Sequence, residues 1–288
     1  MNRASCMKAS QGAEWVCDDH TLEQLTAKDV MQYGVVSIDR REPVHKAVSL
    51  LIEKDISGLP VTYQGRLCGM LSEKDLLRLV CRTEYLPGSV GDYMTENVVS
   101  FDVDDALPAI CKQLVEKPFR RVPVLLHRQT LAGIITRADL IRMYKDRFRP
   151  LGAASYAPHD AGLLAQDVMT AGLLTLPPDA CLYDAMEMIA QRHVTGLPVV
   201  DDMMHLLGII TEKDVLNCCM RPCPADATVA AFMTRDVVAF DRKASLDLIC
   251  ECLIQKDFHR VPIVDAGRLV GIISRSDILR SRASAFRG

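Results

Sequence analysis

The chain has 288 residues, 49% of them hydrophobic and 25% charged, with a formal net charge of −3. That balance excludes the disordered class and leaves no chain-wide basic field for nucleic acid or an anionic membrane, so any anion site must be built locally. No apolar run approaches the roughly 18 residues a membrane-spanning helix needs. The opening stretch, MNRASCMKASQGAEWVCDDH, lacks the apolar segment of a secretory signal, and the cytoplasm is the expected compartment.

In chain order, the first unit opens on KDVM, ending at Met31, and continues into a β-rich run, VVSI (35–38). Val44, Ala47, Val48, Leu51 and Ile52 then fall at i, i+3, i+4, i+7 and i+8, which predicts a helix with one apolar stripe facing a core. LPVTY (59–63), a turn at Gln64-Gly65 and RLCGMLS (66–72) read as a hairpin, and a second helix begins near Lys74. The order is β-α-β-β-α behind a lead-in. A unit of about 60 residues buries too little surface to be comfortable alone, and pairing through exposed sheet faces is the expected remedy.

The same order recurs three times. GDYM ends at Met94, QDVM at Met169 and AAFM at Met233. From Met31 to Pro60, Met94 to Pro123, Met169 to Pro198 and Met233 to Pro262 the step is 29 residues each time. Those prolines precede Asp75, Asp139, Asp214 and Asp277 by 15 or 16 residues. VVSF (98–101) matches the first β-rich run, and three further stripes match the first helix: Leu107/Ile110/Cys111/Leu114/Val115, Leu182/Ala185/Met186/Ile189/Ala190 and Leu246/Ile249/Cys250/Leu253/Ile254. A fixed period of this kind defines a repeat protein.

The spacing also groups the units. RFRPLGAASYAPHDAG (147–162), rich in Pro, Gly, Ala and Ser, reads as a linker between two pairs. The expected boundaries are a tail at 1–20, units at 21–82 and 83–146, the linker at 147–162, and units at 163–220 and 221–284. Cys111 and Cys250 stand where Val48 and Met186 stand, so they read as packing residues rather than disulfide thiols. Cys218, Cys219 and Cys223 cluster near a helix end with no histidine nearby, and no metal site is expected.

Four ordered copies of a DVM-type lead-in, a G-L-P-V strand and a G-h-h-(S/T)-x-x-D turn (h apolar) resemble the cystathionine β-synthase (CBS) domain, whose tandem pairs form Bateman modules. The organisation is similar to that of the four-repeat gamma subunits of AMP-activated protein kinases. The resemblance implies an α/β (α+β) fold of four β-α-β-β-α repeats paired into two Bateman modules.

The (S/T)-x-x-D pairs are Ser72/Asp75, Thr136/Asp139, Thr211/Asp214 and Ser274/Asp277. Taken singly, each is a helix start in which the hydroxyl caps and the acid answers. Such boxes prefer Glu or Gln at the third position, so four aspartates there favour a ligand role as well. A helix N-terminus behind an apolar strand also presents free N–H groups to an anion. The resemblance implies that each aspartate accepts from ribose hydroxyls and that the Ser or Thr lies close to the phosphate.

Lys74 and Lys213 precede the aspartate in the odd repeats, where the even repeats carry Ala138 and Ser276. The even repeats place their charge before the proline strand instead, as Arg120-Arg121 and His259-Arg260. Alone, these are solvated surface charges. The resemblance makes them phosphate ligands, a role that suits guanidinium and ammonium groups, and their alternation suggests complementary half-sites across a pseudo-two-fold axis. It also places the base between Val36, Val99, Leu174 or Val238 and the residues Ile56-Ser57, Phe119, Val194-Thr195 and Phe258. The Asp139 site would then use Ile56 and Ser57, and the Asp277 site Val194 and Thr195, with core packing the alternative role for the apolar members.

The implied function is that of a regulatory adenine-nucleotide sensor, binding AMP, ADP or ATP with no required cofactor. Occupancy would change its affinity for an unidentified regulated protein. Its two modules would form a disk within one chain or across a homodimer. The alternatives are a sensor of S-adenosylmethionine or a cyclic dinucleotide, and a scaffold with degenerate sites. An enzyme is not expected, because four repeats leave little chain over and no nucleophile elbow, Walker loop or metal-binding pair occurs. Neither nucleic acid nor a membrane is an expected partner.

Overall fold

The computed structural model describes residues 24–80, 87–148, 162–192, 194–219 and 226–281. The expected tail at 1–20, most of the linker and Cys223 lie outside the described residues, as does the side chain of Cys219.

Repeat 1 comprises β1 (Ile38–Asp39), α1 (Val44–Glu53), β2 (Gly58–Tyr63), β3 (Arg66–Ser72) and α2 (Glu73–Val80). Repeat 2 follows with β4 (Phe101–Asp102), α3 (Leu107–Glu116), β5 (Arg121–Leu126), β6 (Thr130–Thr136) and α4 (Arg137–Phe148). Repeat 3 has α5 (Leu182–Arg192), β7 (Gly196–Val200), β8 (Leu206–Thr211) and α6 (Glu212–Cys219), its first strand reduced to a parallel bridge between Leu176 and Val199. Repeat 4 has β9 (Phe240–Asp241), α7 (Leu246–Gln255), β10 (Arg260–Asp265), β11 (Arg268–Ser274) and α8 (Arg275–Ser281). The expected β-α-β-β-α order holds, and the hairpin falls at 58–72 with Gln64 (φ 51°) and Gly65 (φ 77°) in its turn. Two positive φ values in a two-residue loop match the right-handed twist of the flanking strands.

The first strands are shorter than the β-rich runs suggest. In VVSI and VVSF only the last residue pairs, Ile38 with Val61 and Phe101 with Val124, because the preceding residues belong to the lead-in.

Each lead-in packs on the other repeat of its pair. The turn at Ala27–Asp29 opens repeat 1, yet Ala27 N–H donates to the Asp105 carbonyl at 2.9 Å and Gln32 exchanges two bonds with Ile134 of repeat 2. Val90–Asp92 returns the exchange onto repeat 1 through Thr95 and Met70. Ala165–Val168 and Val229–Phe232 do the same in the second pair, through Thr170 with Ile272 and Thr234 with Ile209. This exchange explains two fixed residues of the repeat. A Cβ on Gly133 would lie 2.5 Å from Met31 Sδ, one on Gly69 2.6 Å from Met94 Sδ, and one on Gly208 2.7 Å from Met233 Sδ. Gly271 and Met169 form the fourth such lock.

Core sharing adds a second contact, between the pairs, to the expected pairing of units. One apolar cluster joins repeats 1 and 3, with Leu51, Leu71 and Leu76 beside Ile189, Leu197 and Val215. A second joins repeats 2 and 4, with Leu107, Ile135 and Leu140 beside Ile249, Ile273 and Ile278. Helix α2 lies against α6, and α4 against α8. Within pairs the strands meet at the hairpin edges, Arg66 with Thr130 and His205 with Arg268, and again where Arg121 meets Gly58 and Arg260 meets Gly196. Fully burying a Leu or Ile is worth about 1.5–3 kcal/mol, so this seam contributes strongly to assembly. The four repeats thereby contact one another in a ring within one chain. Cys111 is 1% exposed and Cys250 7%, both inside the second cluster as packing residues.

Candidate functional site

All four (S/T)-x-x-D pairs close at the aspartate, and in the first three its own N–H answers the hydroxyl oxygen, completing a capping box. The Ser72 hydroxyl donates to Asp75 Oδ2 at 2.6 Å and its backbone N–H does so at 2.9 Å. Thr136 holds Asp139 at 2.6 and 2.8 Å, Thr211 holds Asp214 at 2.7 and 2.8 Å, and Ser274 holds Asp277 at 2.6 and 2.8 Å. Aspartate therefore reaches both groups without the extra methylene of glutamate, and its use at this position is no sign of a ligand by itself. Each box engages one carboxylate oxygen and leaves the second, Oδ1, for other partners.

The residues before the proline strands meet across each pair. Arg121 donates to the Gly58 carbonyl at 2.9 Å and to the Ser57 hydroxyl. Arg260 donates to the Gly196 carbonyl at 3.2 Å and to the Thr195 hydroxyl. Arg121 and Gly58 hold the same place in their repeats, as do Arg260 and Gly196, so each pair has a pseudo-two-fold axis at this contact. The even repeat supplies the guanidinium and the odd repeat the hydroxyl.

These arginines converge on the middle of the ring. Arg120 Nη2 lies 3.3 Å from Glu212 Oε2, linking repeats 2 and 3. His259 is pulled down to about 2, first by burial and then by Arg120, Arg275, Arg121 and Arg260, so its imidazole is neutral at pH 7. Burial and the Arg120 charge pull Arg121 and Arg260 down to about 10, which still leaves both fully charged at neutral pH. On the acidic side, burial and then the Glu212 carboxylate push Glu73 up to about 7. The centre therefore carries an excess of fixed positive charge in a partly desolvated place, which favours an anion.

The position after the Ser or Thr was missed in the sequence. It holds Glu73, Arg137, Glu212 and Arg275, all buried. Arg137 donates to the Leu114 and Lys117 carbonyls at 2.8 Å, closing the end of α3, and reaches the Ser276 hydroxyl of repeat 4. Arg275 closes α7 through the Leu253 carbonyl at 3.0 Å. The signal was the strict alternation of Glu and Arg in SEKD, TRAD, TEKD and SRSD.

Other expected site residues divide. Lys213 pairs with the exposed Asp55 carboxylate across repeats 1 and 3, rather than standing free beside its aspartate. Lys74 is half-buried on α2. Val36, Ile56 and Val194 pack against the shared core of repeats 1 and 3, and Phe119 against that of repeats 2 and 4, which fits the packing role. Val99, Leu174, Val238 and Phe258 stay 42%, 39%, 39% and 36% exposed. Apart from this centre, a cavity of about 320 Å³ lies at the hairpin ends of repeats 1 and 2, lined by Gly34, Thr62, Gly65 and Thr130 among others, and it contains none of the expected site residues.

The model of the CBS domain matches residues 27–82, 90–146, 165–221 and 229–284. The chain belongs to the CBS domain family. It is similar to the uncharacterized protein MJ1225 of Methanocaldococcus jannaschii, at 28% identity over 57% of this chain and 61% of that protein, so less than two thirds of that relative is spanned. The crystal structure of MJ1225 superposes with a TM-score of 0.78 at 20% identity, over 89% of this chain and 99% of that one, which shows a shared fold. The gamma subunit of 5'-AMP-activated protein kinase from Saccharomyces cerevisiae is 22% identical over 90% of both chains. An inosine-5'-monophosphate dehydrogenase of M. jannaschii is 35% identical over 41% of this chain but only 23% of that enzyme.

Proposed function

We propose that this chain is a regulatory adenine-nucleotide sensor whose occupancy changes its affinity for a regulated protein. The observation that carries the reading is the basic centre. Arg121 and Arg260 cross each pair to Ser57 and Thr195, and Arg120 and the neutral His259 join them. A nucleotide phosphate seated there would meet preorganised guanidinium groups, while the ribose met the second oxygen of an aspartate at a helix start. The exposed Val99, Leu174 and Val238 offer apolar contacts for a base. The likeness to a kinase gamma subunit supports a regulatory role with AMP as one ligand. The buried thiols Cys111, Cys218 and Cys250 suit a reducing compartment, and the cytoplasm is the proposed location. Nucleotide shifts the protein between states only through unequal affinity for them, so the contact between the two pairs is where occupancy would be read out.

The test is a thermal shift with AMP, ADP, ATP, S-adenosylmethionine and a cyclic dinucleotide on the wild type and on Asp214→Ala/Asp277→Ala. A ligand at 100 times its dissociation constant adds about 2.7 kcal/mol, which raises melting by roughly 5–10 °C. An adenine-nucleotide shift that the variant reduces is expected. A response to S-adenosylmethionine alone would replace the ligand, and no response to any of them would favour the scaffold.

A further inference from the structure

The four lead-ins provide an internal comparison. Gln32, Thr95, Thr170 and Thr234 each follow an opening methionine, and each bridges the partner repeat in the same register, with Ile134, Met70, Ile272 and Ile209 respectively. Every one of those strand residues stands two places before the Ser or Thr of its helix start. Each lead-in residue is thus anchored beside the aspartate of the partner repeat. Three are threonine and one is glutamine.

Gln32 differs in contact as well as in type. Its Nε2 donates to Asp139 Oδ1 at 2.7 Å, while Oδ2 is already taken by the Thr136 hydroxyl and N–H. Arg142 also reaches Oδ1, at 2.9 Å, but Arg280 makes the same i+3 contact to Asp277 at 3.1 Å, so the arginine does not set this site apart. The Asp139 side chain is 3% exposed against 11% for Asp277. Val36, five residues after Met31, packs on the core of repeats 1 and 3, whereas its counterparts Val99, Leu174 and Val238 are exposed.

We infer that Gln32 is a specificity-determining residue that closes the Asp139 site, so that one of the four aspartates is withheld from ligand. The inference rests on the reading of these aspartates as ribose ligands. A ribose hydroxyl arriving at Asp139 would have to displace an amide already bonded there, exchanging one hydrogen bond for another with little net gain. A threonine in that register is two heavy atoms shorter and leaves the oxygen to the ligand.

Equilibrium dialysis with labelled AMP on the full chain tests this, because Gln32 is exposed and its substitution spares the core. Gln32→Thr and Gln32→Ala should each bind one more AMP per chain than the wild type. The double variant Gln32→Thr/Asp139→Ala should return to the wild-type number. An unchanged number in both single variants overturns the inference, as does an added AMP that survives loss of Asp139. A wild type that binds four AMP overturns it too, while leaving the sensor reading intact. No AMP bound by any of these proteins would overturn the sensor reading and this inference together.

Discussion

At the residue after the helix-start Ser or Thr, repeats 1 and 3 bury a glutamate, whereas repeats 2 and 4 bury an arginine. The two arginines are answered within their own repeats by helix-end carbonyls. The glutamates have no such answer. Glu73 and Glu212 influence one another across the seam between repeats 1 and 3, and Arg120 of repeat 2 reaches in to pair with Glu212. The pre-proline residues divide the same way, with Arg121 and Arg260 on the even side and Gly58 and Gly196 on the odd side. One fold thus carries two electrostatic roles. The even repeats own the positive centre, and the odd repeats supply hydroxyls, carbonyls and a pair of buried acids around it. Apolar stripes shared by all four copies fix the fold, while a few buried polar positions are free to differ between copies.

The sharpest way to break this comparison is to reverse a charge on its even side. Arg121→Glu removes a guanidinium from the proposed phosphate position and puts a carboxylate among arginines. AMP affinity should fall by about 30-fold or more, since truncating one partner of a desolvated charge pair costs about 2–5 kcal/mol. Calorimetric titration of the folded variant reads this, and an unchanged affinity would remove Arg121 from the site.

Next in size is the lead-in exchange, which is common to odd and even repeats. Gly208→Ala places a methyl 2.7 Å from Met233 Sδ and 2.8 Å from the Thr234 carbonyl. Overpacking of this kind costs about 1–3 kcal/mol, so melting should drop by roughly 2–10 °C. A neutral substitution would show that the methionine seat is loose.

The buried acids on the odd side should appear in the pH dependence of stability. Glu73 in the folded protein titrates near 7 rather than at its ordinary 4.5, so the folded state holds an extra proton between those values. The stability it contributes is full below 4.5 and is lost as pH rises through about 7. Arg120, Lys213 and Arg121 oppose the shift, and Glu212 adds to it. His259 acts the other way, because a folded value near 2 against 6.5 costs stability as pH falls below 6.5. Glu73→Gln should therefore gain on the wild type between pH 4.5 and 7, by something on the order of 1–3 kcal/mol in urea melts. A constant difference across that range would place Glu73 in an ordinary carboxylate environment.

The smallest effect belongs to Lys213 on the odd side. Its partner Asp55 has an 84% exposed side chain, and such pairs are worth about 0–1 kcal/mol. Lys213→Ala should shift melting by no more than about 3 °C and weaken AMP far less than Arg121→Glu does. Equal losses in the two variants would erase the distinction between odd and even repeats.

Much of this architecture was legible because the repeat prints it four times. The helix stripes, the Gln64-Gly65 turn and the methionine-to-proline step are local patterns, and they predict the elements closely. The exchange of lead-ins was not legible. Met31 seats on Gly133 and Met94 on Gly69, and periodicity within a repeat cannot say on which copy a lead-in rests. The helix seam was not legible for a related reason, since a stripe shows that a face is buried without naming what covers it. At the site, Arg121 and Arg260 stand out in the sequence as even-repeat features, and the structure brings each beside Ser57 or Thr195. The use of aspartate in place of glutamate was over-read, because the capping geometry accommodates it. Gln32 was visible as the one non-threonine after an opening methionine, but its meaning depends on a partner 107 residues away.

The central claim is that the arginine centre of the even repeats holds a phosphate. Calorimetric titration with AMP and with adenosine, which differ only in that group, tests it most directly. AMP should bind at least about 100-fold more tightly than adenosine, and the difference should shrink as salt is raised, as expected for charge-assisted contacts. Equal affinities for the two, unaffected by salt, would contradict it.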